Sequence, residues 1–92
     1  MEKSVHTPDY RALRVKLQKT RASSGLSQRD LAARLAVPHS WVAKVEGGER
    51  RIDLVEFCWF VAACGEDPGS VFRDLLLQRP SLGGHDAKGR PK

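Results

Sequence analysis

The chain is predicted to fold as a compact all-α domain of five helices, and three features of the sequence carry that prediction. Apolar residues recur three and four apart in five separate stretches, the spacing that lines one face of a helix. Each stretch opens on a capping residue or a proline and closes on glycine or proline. No stretch alternates apolar and polar residues as a half-buried strand does, and no segment repeats. A length of 92 residues allows one domain with a single modest core. That domain is expected over residues 7–78, between a flexible N-terminus (residues 1–6) and a disordered tail (residues 79–92).

The first helix opens at Thr7-Pro8, a cap followed by a proline whose missing N–H costs nothing at a helix start. It runs to about Ala22 or Ser23, where Ser24-Gly25 ends it. Tyr10, Leu13 and Leu17 form its apolar stripe, and Arg11, Arg14, Lys16, Lys19 and Arg21 cover the remainder. A solvated face accounts for most of these basic residues as well as a contact to a polyanion does. The second helix opens on Ser27, with Asp30 three residues on in the order of a capping box. Leu31 and Leu35, four apart with Ala32 beside them, are its buried face. Ala36 and Val37 make a turn, in which an alanine at position 36 is workable if its φ stays negative. Pro38 is then placed at the first position of the third helix.

At about 100° per residue, Pro38, Trp41, Val42 and Val45 share the inner arc of that helix. His39, Ser40, Ala43 and Lys44 fall on the opposite arc, where their own domain offers them nothing to touch. Gly47-Gly48 ends the helix. Glu49-Arg50-Arg51 follows as an exposed basic corner, placed to grip phosphates rather than to read a sequence. Asp53, with Glu56 three on, caps a fourth helix running to about Cys64, with Val55, Phe57, Phe60, Val61 and Cys64 as its apolar residues. Gly65-Glu66-Asp67-Pro68 is a stop and a new start. The fifth helix carries Val71, Phe72, Leu75, Leu76 and Leu77, and Arg79-Pro80 ends it. One face per helix cannot bury Trp59 directly after Phe57-Cys58, nor three leucines abreast. Trp59, Phe72, Leu75 and Leu76 are therefore expected to form a surface for a second copy.

Charge is segregated along the chain. Residues 1–24 carry six basic and two acidic side chains, and residues 25–51 five and three. Residues 52–78 carry one and five, and residues 79–92 four and one, within a net charge of +5. A basic half beside an acidic half points to a polyanion on one side only. No apolar run approaches the ~20 residues of a membrane span and no signal-peptide pattern opens the chain, so a cytoplasmic, nucleoid-associated protein is expected. Cys58 and Cys64 lie too far apart along one helix to bridge, and both read as small core fillers in a reducing compartment. His6, His39 and His85 are scattered and no Cys-x-x-Cys occurs, so neither a metal nor another cofactor is expected. No nucleophile–base set or carboxylate pair is apparent, and Gly47-Gly48 and Gly83-Gly84 lack the rest of a phosphate loop. An enzyme is not expected.

The run Gly25-Leu26-Ser27-Gln28, a helix, a turn, and a second helix ending in Lys44-Val45-Glu46 resembles the phage repressor/Cro-type helix-turn-helix family, the xenobiotic response element regulators of bacteria and phages. The resemblance spans roughly residues 13–76, with the motif itself at about residues 28–47. It implies a sequence-specific duplex-DNA-binding regulator, acting as a homodimeric repressor, whose third helix enters the major groove. Carried over position by position, it makes His39, Ser40, Ala43 and Lys44 base contacts, types that suit base edges on their own chemistry. Gln28, Arg29, Trp41, Arg50 and Arg51 become phosphate contacts, and Arg21 pairs with Glu46. An autoregulating antitoxin or restriction-modification controller is the alternative within DNA binding, with a toxin partner on the C-terminal helix or tail. A protein-interaction module using the same fold without DNA is the alternative outside it. No sensor pocket is evident, so control through concentration, autorepression or a partner protein is expected.

Overall fold

The computed structural model describes residues 6–83, as six helices with no strand among them. They are α1 (Pro8–Ser23), α2 (Gln28–Leu35), α3 (His39–Gly47), α4 (Leu54–Ala63), α5 (Pro68–Gln78) and α6 (Pro80–Gly83). The expected flexible residues 1–5 and tail residues 84–92, with His85, lie outside the described residues.

Local chemistry sets the helix starts. The Thr7 hydroxyl accepts the Tyr10 N–H at 3.1 Å and Pro8 follows as the first residue of α1. On α2 the Ser27 hydroxyl accepts the Asp30 N–H at 2.9 Å while the Asp30 carboxylate accepts the Ser27 N–H at 3.0 Å. Asp53 and Glu56 make the same reciprocal pair on α4, at 2.8 and 3.0 Å. Each box satisfies two N–H groups that a helix end otherwise leaves to water. Asp67 caps α5 through the Ser70 N–H at 2.8 Å.

α1 packs against α3, α4 and α5, while α2 lies on α3 and α4. Between them Leu17, Leu31, Val42, Val45, Phe60 and Val61 are almost wholly excluded from solvent. Phe57, Cys64 and Val71 close the same cluster toward α5. The core thus clamps α3 by Val42 and Val45 and leaves the opposite side of that helix outward.

Several expectations are corrected. Ala36 has φ 59° and ψ 43°, the left-handed region, not a negative φ. The Val37 N–H bonds the Ala32 carbonyl at 3.1 Å and the Ala36 N–H bonds Ala33 at 3.2 Å. That closure needs a left-handed residue between helix and turn, and with no glycine supplied an alanine takes the strain. Pro38 is extended (φ −60°, ψ 145°), exposed, and flanks α3 as its N-cap, so the helix starts one residue later, at His39. Leu75 is only 3 % exposed. It stands four residues after Val71, on the core face, and cannot serve a surface contact. Cys58 is exposed while Cys64 is buried, so only the second is a core filler.

The segment after α5 is also different from the expected tail. Arg79 leaves α5 with φ −131° and ψ 77°, and Pro80 starts α6 instead of merely ending α5. The Arg79 Nε donates to Asp9 Oδ1 at 2.8 Å and the Ser81 hydroxyl donates to the same oxygen at 2.9 Å. This straps α6 to the start of α1. Leu82 thereby borders an apolar groove of about 390 Å³ between α1, α4 and α5, with Tyr10, Leu13, Phe57 and Phe72. The Tyr10 hydroxyl on its wall accepts the Ile52 N–H at 2.8 Å.

Candidate nucleic-acid interface

α3 is the element on which the site is built. Its core edge is Val42 and Val45, and its exposed edge is His39, Ser40 and Lys44, with Ala43 half-buried beside them. Pro38 offers no side-chain cap, and no acidic residue occupies the first turn. The positive end of the α3 dipole is therefore left uncompensated by the protein, beside the exposed His39 and Ser40.

The far end of α3 is held rigidly. Arg21 donates to Glu46 through Nε at 2.6 Å and Nη2 at 2.9 Å, a bidentate pair with side chains 12 % and 4 % exposed. Arg21 Nη1 reaches the Leu26 carbonyl at 2.9 Å, so the same guanidinium also fixes the loop before α2. The hydrogen bond to Glu46 is the main cause that raises the Arg21 pKa, against burial. Two further contacts were not evident from the sequence. Gln28 Nε2 donates to Glu46 Oε1 at 2.8 Å, and Arg14 Nη1 donates to the Glu46 carbonyl at 3.1 Å. Gly48, at φ 82°, lies against the Arg14 guanidinium, where a Cβ would come within 3.1 Å of Cζ. Glutamine and arginine look like surface residues in isolation. Only Glu46, buried between three helices, makes them structural, its carboxylate taking Gln28 and its backbone carbonyl Arg14.

The expected phosphate contacts separate into two groups. Arg29, in the first turn of α2, and Arg51, after α3, are exposed. Arg51 carries its guanidinium 5.1 Å from the Tyr10 ring centroid. Gln28 is half-buried on Glu46, in the first turn of α2. Arg50 is not the free corner residue expected. It bonds both Glu56 oxygens at 3.2 Å and lies 5.0 Å from the centroid of the Trp41 ring. That pairing is the leading cause that holds the Glu56 carboxyl below the usual carboxylate range, with the Asp53 N–H second. Trp41 is half-buried on the flank of α3, and its indole is shared between Arg50 and a groove toward α4.

The residues expected to form one surface for a second copy do not lie together. Phe72 lines the groove of α1, α4 and α5 and meets Phe57 edge-on at 6.3 Å between centroids. Trp59 lines a different groove, with Arg34, Leu35, Val37 and Trp41. Leu76 is half-buried on α5, and Leu75 is in the core. Among the described residues no group of three or more His, Cys, Asp or Glu side chains is placed to hold a metal, and no helix is long and apolar enough to cross a membrane.

An exposed polar edge on the second of two helices joined by a tight turn, with its angle fixed by a buried ion pair to α1, defines a helix-turn-helix DNA-binding domain. Residues 12–73 match the family described as a helix-turn-helix domain. An XRE-family like protein from Pseudomonas syringae pv. tomato has a solved structure that is 39 % identical, with a TM-score of 0.77, covering 84 % of this chain and 94 % of that one. No curated protein matches the chain. The chain belongs to the repressor/Cro-type (XRE) helix-turn-helix family and is a DNA-binding transcriptional regulator.

Proposed function

We propose that the protein is a homodimeric repressor that occupies a pseudopalindromic operator, with α3 of each copy in the major groove. The observation that carries this reading is the exposed edge of α3: His39, Ser40 and Lys44 point outward from a helix locked by Arg21, Gln28 and Glu46. A locked helix presents its side chains without the ordering cost a loop would incur, which is what base recognition needs. Ser40 and Lys44 lie one turn apart on that edge and read adjacent base pairs, with Ala43 against a thymine methyl and His39 at the groove entrance.

Phosphates are gripped on both sides of the groove. Arg29 and the first turn of α2, which includes Gln28, take one strand. Arg51, the uncapped first turn of α3 and the Trp41 indole edge take the other, while Arg50 reaches a phosphate only by sharing itself with Glu56. Repression follows from occupancy, because a bound dimer excludes other proteins from the same duplex. The test is selection of bound duplexes from a randomised pool. Enrichment of a two-fold symmetric sequence is expected, and recovery of no common sequence, or of single asymmetric sites, sinks the reading.

A further inference from the structure

Past Glu56 in its first turn, α4 is apolar all round, yet among the described residues only one side of it is covered. Phe57, Phe60 and Val61 enter the core, and Cys64 follows them. Turned away are Val55, Cys58, Trp59 and Ala62, all exposed, at the i, i+3, i+4, i+7 spacing of a packing seam. Val55 is 56 % and Trp59 60 % exposed, and no charged residue falls within residues 57–65. Beside Trp59 runs a groove of about 480 Å³ whose walls include Leu35, Val37, Trp41 and Ala63. Apolar surface on two sides of a helix belongs in an interior, and the outer side here lies open.

We propose that this seam is the contact with a second copy of the chain, two α4 helices packing antiparallel across a two-fold axis near Cys58 and Trp59. This deepens the dimeric repressor reading and rests on it. Three features select a second copy as the occupant. A two-fold contact sets a patch against itself, so a charge at its centre would meet its own sign; this centre has none. The rim is charged, and in complementary fashion. Arg34 is fixed at the C-terminal end of α4 by its bond to the Ala63 carbonyl at 2.8 Å, and Glu56, which already holds Arg50 of its own copy, sits in the first turn of the same helix. Reversing one α4 on the other sets each copy's Arg34 beside Glu56 of the partner subunit, which the two arginines then share. Trp59 also stands next to the groove, so each indole is a knob beside the hole that the other copy's indole fills.

The position suits a shared duplex. Trp41, on the groove wall, lies roughly 60–100° round α3 from Lys44 and Ser40. The seam is thus on the flank of the reading edge, and a two-fold axis there turns both reading edges toward one duplex. A contact opposite α3 would set them back to back.

Cys58 reports on the seam because Cys64 is buried and its thiol is pushed up to about 11 by that burial. The full chain is sized by sedimentation as wild type, Trp59→Glu and Leu77→Glu, the last altering an α5 side chain that is 74 % exposed. In parallel, the wild type and Cys58→Ser are treated with a short bismaleimide. Dimers are expected for wild type and Leu77→Glu, a folded monomer for Trp59→Glu, and a covalent dimer that Cys58→Ser does not give. A dimer that survives Trp59→Glu, or that Leu77→Glu abolishes, or that Cys58 does not cross-link, overturns the seam and leaves the dimeric reading standing. A wild type that is monomeric alone and binds a palindromic duplex one copy at a time overturns both.

Discussion

Glu46 is the residue that ties α3 to α1 and α2. Its carboxylate receives Arg21 twice and Gln28 once, and its carbonyl receives Arg14. Glu46→Ala leaves the Arg21 guanidinium, 12 % exposed, without a counter-charge, and should lower unfolding free energy by about 3–5 kcal/mol. The Arg21→Ala, Glu46→Ala double variant should lose less than the two single losses together, since no charge is then stranded. Denaturant titration of the three variants checks both statements. Ala36 offers the opposite case. Its φ of 59° is strained for an alanine by about 1–2 kcal/mol. Part of that returns when Ala36→Gly loosens the unfolded chain, so a net gain of about 0.5–1 kcal/mol is expected. An Ala36→Gly protein with a lower thermal midpoint would contradict this. The strain was not visible in the sequence because a short Ala-Val turn permits either sign of φ. Only the closure onto Ala32 requires the left-handed one.

Among the elements, most of the fold was legible because α1, α2, α4 and α5 announce their own starts. Ser27 with Asp30 and Asp53 with Glu56 are local patterns, complete within four residues, and both boxes are present. α6 was not legible, because it depends on Asp9 meeting Arg79 and Ser81 across some seventy residues of chain. The apolar surplus of α4 and α5 was visible, but its division was not. Val71 with Leu75 and Phe57 with Phe60, Val61 and Cys64 do carry core spacing, and that signal places Leu75 inside and Trp59 outside.

The same boxes give the protein an acid sensitivity. The Ser27 N–H, and next its hydroxyl, hold Asp30 below the usual carboxylate range, and Arg50 does so first for Glu56. A carboxyl whose folded pKa is depressed contributes stability above its unfolded pKa and loses it as pH falls through the folded value. The thermal midpoint should therefore drop from about pH 5 downward, and Asp30→Asn with Glu56→Gln should flatten that drop while lowering the midpoint at neutral pH. An unchanged pH profile in the double variant would contradict the assignment. On α3 and α2 the division of labour is open to a parallel test. Lys44→Ala should cost about 1–3 kcal/mol at one base pair and relax the preference there. Arg29→Ala should weaken all duplexes alike and lower the salt slope by about one. Equal weakening of specific and random duplex by Lys44→Ala would remove it from the groove.

For the whole molecule, the distribution of charge and the position of the apolar seam constrain each other. Residues 1–51, which include α3, carry the positive excess and residues 52–78, which include α4 and α5, the negative one. A two-fold contact on the α4 flank, where Trp41 of α3 borders the same groove as Trp59, turns both α3 helices toward the same duplex. Two reading helices so joined must meet successive major grooves about 34 Å, or 10–10.5 base pairs, apart. Half-site spacing is then a property of the dimer and not of either helix. Inserting about five base pairs between the half-sites turns one of them to the far side of the duplex, and a full turn brings it back. Affinity for the half-turn insertion should fall to that of an isolated half-site, because the second α3 no longer benefits from the high effective concentration of a linked reader. Trp59→Glu should show that weak affinity at every spacing. Competition binding across the spacing series measures it, and an affinity indifferent to spacing in the wild-type protein would mean that each α3 reads alone.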